Sequence, residues 1–275
     1  MKFLVIGTGI AGLSFSLRAS KIGEVTIITQ KGMVDSATNL AQGGIAAVLD
    51  KEKDSIGSHI EDTIVAGAGL CDYRVVSEIV KDGYERVNDL ISYGVDFVTN
   101  SPAGDLSLGR EGGHSFRRIA HAYDLTGRAI EMTLLDQVNS VPSITVLEDH
   151  LLVDLIVIAD DNRSLCRGAY VLNNKEETVK FEADQTLLCT GGTGKVYLYT
   201  SNPDIATGDG IAAASRVGAS VANMEFVQFH PTCLFHPRAK NFLISEAVRG
   251  EGAMLLNQNG ERFMNKYDER AELAT

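Results

Sequence analysis

Three glycines follow a short apolar run at the start of the chain. The run Lys2–Ile6 leads directly into Gly7, Gly9 and Gly12, which have the spacing G-x-G-x-x-G. The first glycine permits a tight turn, the second lets backbone approach a pyrophosphate, and the third lets a helix pack closely on the strand. Because a helix N-terminus attracts phosphate, this pattern predicts a dinucleotide-binding βαβ unit, against the alternative of an ordinary glycine turn. The candidate cofactor residues here are Gly7, Thr8, Gly9, Ile10, Ala11 and Gly12.

The sequence after this turn agrees with a βαβ unit at most positions. Leu13 and Leu17 have the spacing of an amphipathic helix, and Val25–Thr29 predicts the second strand. An acidic residue usually follows that strand and binds ribose hydroxyls, but here the positions are Gln30 and Lys31. The missing acidic residue weakens the prediction of a nicotinamide cofactor. Lys31, which stands near this position, is a candidate cofactor residue.

A second glycine-rich block could contact a flat ring system. It contains two adjacent glycines flanked by small and amide side chains, so backbone N–H groups could reach a hydrogen-bonding ligand. The alternative is a flexible Gly/Asn loop. The candidate cofactor residues of this block are Thr38, Asn39, Leu40, Ala41, Gln42, Gly43, Gly44 and Ile45.

Length, charge and cysteine spacing limit the possible classes of protein. The 275 residues can bury a sizeable core, and a formal net charge of −11 argues against broad binding to nucleic acid or anionic membranes. The first strand starts at residue 2 and no apolar run could span a bilayer, so we expect a cytoplasmic protein without a signal peptide. No metal site is predicted, and buried free thiols are expected at Cys71, Cys166, Cys189 and Cys233.

Apolar spacing predicts an α/β fold. Ser58–Glu61 has capping-box spacing and should start a helix, and a helical apolar stripe continues from Val75 to Ile91. A further helix is expected at Gly127–Asn139. A β-meander is then expected from Ile144–Leu147, Leu152–Ile158, Cys166–Leu172 and Thr178–Phe181. The strand Thr186–Thr190 ends in Gly191 and Gly192, and Thr207–Gly210 precedes the helix Ile211–Val217.

Taken together, seven sequence blocks resemble the flavoprotein family of L-aspartate oxidases, fumarate reductases and succinate dehydrogenases. The resemblance covers essentially the whole chain, and the blocks agree in order and spacing. They are the opening glycine turn, Thr38–Ile45, Arg110–Ser115, Cys189–Gly192, Thr207–Gly210, Gln228–Thr232 and Ser245–Gly252.

The resemblance implies FAD as the cofactor. In this family the first block binds the FAD pyrophosphate, the second lies along the flavin, and the position of Asp209 also contacts FAD. The implied fold is α/β: a Rossmann-like FAD-binding domain with an inserted β-meander over 1–223, and the start of an α+β capping domain over 224–275. Ala37 stands where family members with covalent FAD have a histidine, so noncovalent binding is expected.

Glu111 distinguishes branches of the family. An amino-acid substrate carries an ammonium group, which a nearby carboxylate favours. Aspartate oxidases have this glutamate, whereas the plain dicarboxylate enzymes generally do not. Without the surrounding match, Glu111 would be interpreted as a solvated loop charge.

The resemblance also implies the remaining substrate-binding residues. Its candidate catalytic set is Glu111, His230, Thr232, Ser245 and Glu246, with His230 binding substrate and Glu246 in support. A lone histidine is more often a packed core residue, but His230 lies in a matching His-Pro-Thr triplet. His114, His121 and Arg249 have two equally weighted interpretations: they support the substrate-binding residues, or they belong to a structural polar network.

One expected residue lies outside the chain. The family's proton-transferring arginine follows a segment that resembles Asp268–Thr275, so it would be the next residue. The family's later return segment is also absent. We therefore expect an incomplete chain that binds FAD poorly and lacks full activity by itself.

Three functions remain open from the sequence. The first is FAD-dependent oxidation of L-aspartate to iminoaspartate, with oxygen (giving hydrogen peroxide) or fumarate as electron acceptor; its product would feed quinolinate and NAD biosynthesis, with coupling to quinolinate synthase. The second is a soluble fumarate reductase of the succinate dehydrogenase type. The third is a non-catalytic flavin-binding module.

Overall fold

The computed structural model describes residues 1–101, 104–160, 163–230, 232–238 and 242–274. The chain forms two compact units, each made of two stretches of sequence. Unit 1 comprises Met1–Ala41 and Ile130–Phe229, and unit 2 comprises Gln42–Ala129 and His230–Thr275. The functional domain limits expected from the sequence, 1–223 and 224–275, remain a prediction.

The described residues form six α-helices and ten strands. In order they are β1 (Lys2–Ile6), α1 (Ile10–Ala19), β2 (Glu24–Ile28), β3 (Ile45–Ala46), α2 (Ile56–Ala66), α3 (Tyr73–Tyr93), β4 (Leu108–Gly109), β5 (Ile119–Ala120), α4 (Thr126–Ser140), β6 (Ile144–Leu147), β7 (Leu151–Asp160), β8 (Arg163–Leu172), β9 (Thr178–Glu182), β10 (Gln185–Leu188), α5 (Asp209–Arg216) and α6 (Glu246–Gly250). Short 3-10 turns lie at Gly194–Val196, Met264–Lys266 and Ala271–Leu273.

Unit 1 is built on a parallel sheet with the strand order β10-β1-β2-β6. Its central strands are apolar, and Leu4, Val5, Ile27 and Ile28 are buried, as is typical of parallel strands covered on both faces. The predicted Rossmann-like βαβ start is confirmed. The assignment of Ile144–Leu147 to the meander was wrong, because this strand pairs in parallel with β2.

The inserted β-meander is confirmed as the antiparallel sheet β7-β8-β9. Residues of β7 and β8 share a buried cluster with the parallel sheet and α5. This cluster contains Leu4, Ile6, Ile28, Leu152, Ala169, Val171, Ala183 and Ala213. The meander therefore packs against β1 and β2, the two central strands, and the glycine turn follows β1.

Unit 2 combines a small antiparallel sheet, β3-β5-β4, with the packed helices α2 and α3. The expected helix start at Ser58 was wrong: α2 begins at Ile56, because the Ser55 side chain caps it by accepting the Ser58 N–H at 3.1 Å. In α3, Val80 and Val87 are buried, but Ile79 is 67% exposed. Only part of the predicted apolar stripe is therefore core.

Two further expectations concern membrane-spanning segments and the burial of the cysteines. No helix among the described residues is long and apolar enough to cross a membrane. All four cysteines are free, but Cys233 is exposed and the other three are only partly covered. The expectation of buried thiols was therefore wrong, because neighbouring residues cover three of the cysteines only in part and leave Cys233 exposed.

Candidate functional site

A cavity of about 640 Å³ lies in unit 1 at the carboxyl ends of the parallel strands. Its walls include the turn after β1, the ends of β2 and β10, and the start of α5. Open parallel sheets bind ligands in this position, and the volume lies within the usual range of ligand pockets.

The glycine turn is required by close backbone packing. Gly7 has a φ of +113°, and a Cβ built there would lie 2.2 Å from the carbonyl oxygen of Cys189. A Cβ on Gly12 would lie 2.1 Å from the carbonyl oxygen of Gly7. A side chain at either position would therefore displace the backbone that forms the cavity wall.

The N-terminus of α1 is available to a phosphate. Its N-cap, Gly9, makes no side-chain capping hydrogen bond. The Ile10 N–H donates to Thr38 Oγ1 at 3.1 Å, so the second glycine-rich block contacts the turn through its first residue. The helix dipole and the exposed N–H groups favour an anion here.

Asp209 lies at the start of α5, on the cavity wall. Its carboxylate accepts a hydrogen bond from Thr207 Oγ1 at 2.8 Å, and the preceding Gly208 is left-handed, with a φ of +83°. The helix N-terminus stabilises the negative charge. Asp209 can thus accept hydrogen bonds from the hydroxyl groups of a ligand.

The structure brings seven of the predicted cofactor residues to this cavity: Gly7, Thr8, Gly9, Ile10, Ala11, Thr38 and Asp209. Five others belong to the same unit but are not among the described residues of the cavity wall: Gly12, Lys31, Asn39, Leu40 and Ala41. The wall also contains Ser36 and Ser220–Ala222, which belong to segments without a recognisable sequence pattern.

A second cavity, of about 460 Å³, lies within unit 2. Glu111 lines it, and Glu111 Oε1 accepts the Gly44 N–H at 3.2 Å. A Cβ on Gly43 would lie 3.1 Å from the same oxygen, so the paired glycines leave room for the carboxylate. Burial raises the pKa of Glu111, and the charge of Glu246 raises it further, whereas the Gly44 hydrogen bond opposes the shift.

Gln42 and Ser245 line the same cavity. Gln42 Nε2 donates to the Leu243 carbonyl at 3.0 Å, while its Oε1 is buried without a hydrogen-bond partner among the described residues. Ser245 is the N-cap of α6 and accepts the Ala247 N–H at 3.3 Å. The cavity therefore combines a carboxylate, an amide and a hydroxyl group.

The remaining candidates of unit 2 lie elsewhere in that unit. Gly43, Ile45, His230, Thr232 and Glu246 are absent from the described part of the cavity wall. His230 Nδ1 is 2.9 Å from the Thr232 carbonyl oxygen and 3.3 Å from its amide nitrogen. Glu246 lies 3.8 Å from Arg249 Nη2. The middle residue of the His-Pro-Thr triplet, Pro231, lies outside the described residues.

A buried ion cluster supports the loop that carries Glu111. The Arg118 side chain is fully buried, with two bonds of 2.8 Å to Asp54 and one of 2.7 Å to Asp62. Asp62 also accepts the Ser115 N–H at 2.8 Å, which anchors the end of the loop. Sequence reasoning missed this cluster, since Arg118 lies 64 residues from Asp54 and 56 from Asp62 in the chain.

His59 and His114 adjoin this cluster, and the centroids of their rings lie 5.7 Å apart. Burial lowers the pKa of His59 to about 4, with Arg118 contributing. Burial and Arg118 also lower the pKa of His114. His114 therefore belongs to the polar network, whereas His121 lines the cavity.

The glycine turn and the cavity of unit 1 are typical of a nucleotide-binding protein, and sequence comparison identifies its class. Residues 2–275 match the family described as FAD binding domain, and the chain belongs to that family. The predictions of the fold and of FAD as cofactor are confirmed. The start of α1, whose N-cap Gly9 has no side chain, and the glycine turn, where a Cβ would clash, fit the phosphates of FAD.

Two curated proteins are similar to this chain over nearly its whole length. L-aspartate oxidase 1 of Ralstonia nicotianae is 53% identical over 276 residues, covering 98% of this chain and 51% of the relative. L-aspartate oxidase of Vibrio cholerae is 51% identical over 280 residues, covering 98% and 52%. The chain thus spans about half the length of the curated relatives it matches.

Solved structures give the same fold. A mutant E. coli quinol fumarate reductase chain has a TM-score of 0.88 at 33% identity, covering 97% of this chain and 45% of its own. Sdh1 of Mycobacterium smegmatis has a TM-score of 0.79 at 34% identity, covering 96% and 46%.

Proposed function

We propose that the chain forms the FAD-binding part, and part of the substrate site, of an enzyme that oxidises L-aspartate to iminoaspartate. Two relatives named L-aspartate oxidase, at 53% and 51% identity, support this proposal over nearly the whole chain. The single observation that carries it is the partly buried carboxylate of Glu111 on the wall of a cavity.

Glu111 suits the ammonium group of an amino acid. Burial disfavours its negative charge, and the single Gly44 N–H only partly compensates. A substrate ammonium would form a charge-assisted hydrogen bond with this carboxylate. Succinate and fumarate carry no ammonium and would gain nothing from Glu111, so this residue favours an amino-acid substrate.

We assign His230, Thr232 and Ser245 to the two carboxylates of the substrate, with Glu246 in support. Thr232 Oγ1 is buried without a partner among the residues that the structure describes, and is therefore available to a ligand. His230 uses Nδ1 within its own loop, so Nε2 is the nitrogen assigned to substrate. Bound FAD supplies the two-electron acceptor.

We assign FAD binding to the candidate residues of the two glycine-rich blocks, Lys31 and Asp209. Ala37 lines the unit 1 cavity and has no nucleophilic side chain, so the proposed attachment is noncovalent. Acid denaturation should then release all flavin from the precipitated protein. Flavin retained in the pellet would contradict noncovalent binding.

The proposed electron acceptors are oxygen, giving hydrogen peroxide, and fumarate. Iminoaspartate would feed quinolinate and NAD biosynthesis, with quinolinate synthase as functional partner; the cytoplasmic location remains a prediction. The test is a steady-state assay of the full-length protein with L-aspartate, with oxygen or fumarate as acceptor. Turnover with L-aspartate supports the proposal, and its absence with both acceptors contradicts it.

A second candidate is a soluble fumarate reductase. It is favoured by the TM-score of 0.88 with a fumarate reductase chain, although the identity is 33%. Fumarate reduction by a reduced dye, without turnover of L-aspartate, would support this candidate. A flavin-binding protein inactive in both assays would be the non-catalytic module.

A further inference from the structure

Glu131 is a buried acid beneath the segment that lines the FAD cavity. It belongs to α4, where Leu134, Leu135 and Val138 lie on the same buried face. Glu131 itself is fully buried. An acidic residue within an apolar helix face is costly unless it is neutral or well paired.

One contact links Glu131 to the cavity wall. The hydroxyl group of Ser36 donates to Glu131 Oε1, and the same Ser36 oxygen accepts the Asn39 N–H at 3.2 Å. Ser36 lines the FAD cavity together with Thr38, which in turn accepts the Ile10 N–H of the glycine turn. Hydrogen bonds at Ser36 and Thr38 thus tie α4 and the glycine turn to one segment of the cavity wall.

The second oxygen of Glu131 makes the site unusual. Oε2 is buried and has no hydrogen-bond partner among the described residues. Asp35, on the segment that contacts Glu131, faces it with a further negative charge. Nothing cationic acts on Glu131 in the described surroundings, so a neutral carboxyl group is the form that this site accommodates.

We propose that Glu131 is a positioning residue for FAD, and that its neutral carboxyl group holds Ser36 and the adjoining 35–38 segment in the conformation that binds the cofactor. Burial raises the pKa of Glu131 from 4.5 to about 7, with Asp35 contributing and Ser36 opposing. Ionisation above that pH places an uncompensated charge beneath the segment. The FAD affinity should therefore weaken as pH rises through 7.

The test compares FAD dissociation constants between pH 6 and pH 8.5, measured by flavin fluorescence with added FAD. We expect the wild-type affinity to weaken by roughly three- to tenfold over this range, whereas Glu131→Gln, which stays neutral, remains flat. Asp136→Asn, on the exposed face of the same helix, is the matched control and should follow the wild type. Equal pH slopes in wild type and Glu131→Gln would overturn the proposal.

A second measurement does not depend on the folding of Glu131→Gln. Ser36→Ala removes the contact through which Glu131 acts on the 35–38 segment, so the pH dependence of the FAD affinity should flatten. A pH slope equal to that of the wild type would contradict the proposal.

Discussion

The backbone N–H of Gly44 donates to Glu111 Oε1 at 3.2 Å, so the glycine pair and the Arg110–Ser115 loop meet at one carboxylate. The two segments are more than sixty residues apart in sequence. This bond orients Glu111 on the wall of its cavity and uses one of the several acceptor positions of a carboxylate. The bond gives the carboxylate a fixed position on the cavity wall, as the proposed role in binding an ammonium group requires.

Glu111→Gln should separate the two proposed substrate classes. The amide keeps the shape but loses the charge, so we expect L-aspartate turnover to fall by roughly 10- to 100-fold while fumarate reduction changes little. The measurement is kcat/KM for both reactions. Glu61→Gln, an exposed change in the same unit, is the control and should leave both unchanged. Equal losses in the two reactions would remove the ammonium role from Glu111.

Arg118 and its neighbour Arg117 should differ sharply in their effect on stability. Arg118→Met leaves Asp54 buried without its partner and should cost about 3 to 5 kcal/mol in the free energy of unfolding. Arg117 makes a mostly exposed ion pair with Glu251, so Arg117→Met should cost less than about 1 kcal/mol. Urea unfolding measures both. Similar costs would mean that the buried cluster does not anchor the loop.

Gly12→Ala should reduce FAD binding because its Cβ would meet the Gly7 carbonyl oxygen at 2.1 Å. We expect a stability loss of about 1 to 3 kcal/mol and a lower flavin content after purification. Gly57→Ala is the matched control, since nothing lies within 4 Å of its Cβ and alanine favours the helix. A Gly12→Ala protein with normal flavin content would show that close packing at this turn is dispensable.

Much of the fold was predictable because local patterns dominate it. The glycine turn predicted β1 and α1, β-rich segments predicted the meander, and a short apolar run predicted β10. The strand Ile144–Leu147 was misplaced because a four-residue apolar strand does not reveal its partner, which is β2. The cap at Ser55 was missed because Ser58 offered an equally good local signal.

The candidate site was only partly predictable, because only some of its residues belong to local sequence patterns. Glu111 and Asp209 belong to short blocks that resemble a family, so sequence alone could nominate them, and both line cavities in the structure. Arg118 pairs with Asp54 across a long stretch of chain, and no spacing rule brings them together. Glu131 did carry a signal, an acid within an apolar helix face, but its meaning depends on the tertiary contact with Ser36.

The central claim is that L-aspartate is the substrate, and anaerobic reduction of the bound flavin tests it most directly. The full-length, FAD-loaded protein is mixed without oxygen with L-aspartate or with succinate, and the visible flavin band is followed. The proposed function predicts bleaching by L-aspartate and none by succinate. Bleaching by succinate alone, or by neither compound, would contradict it.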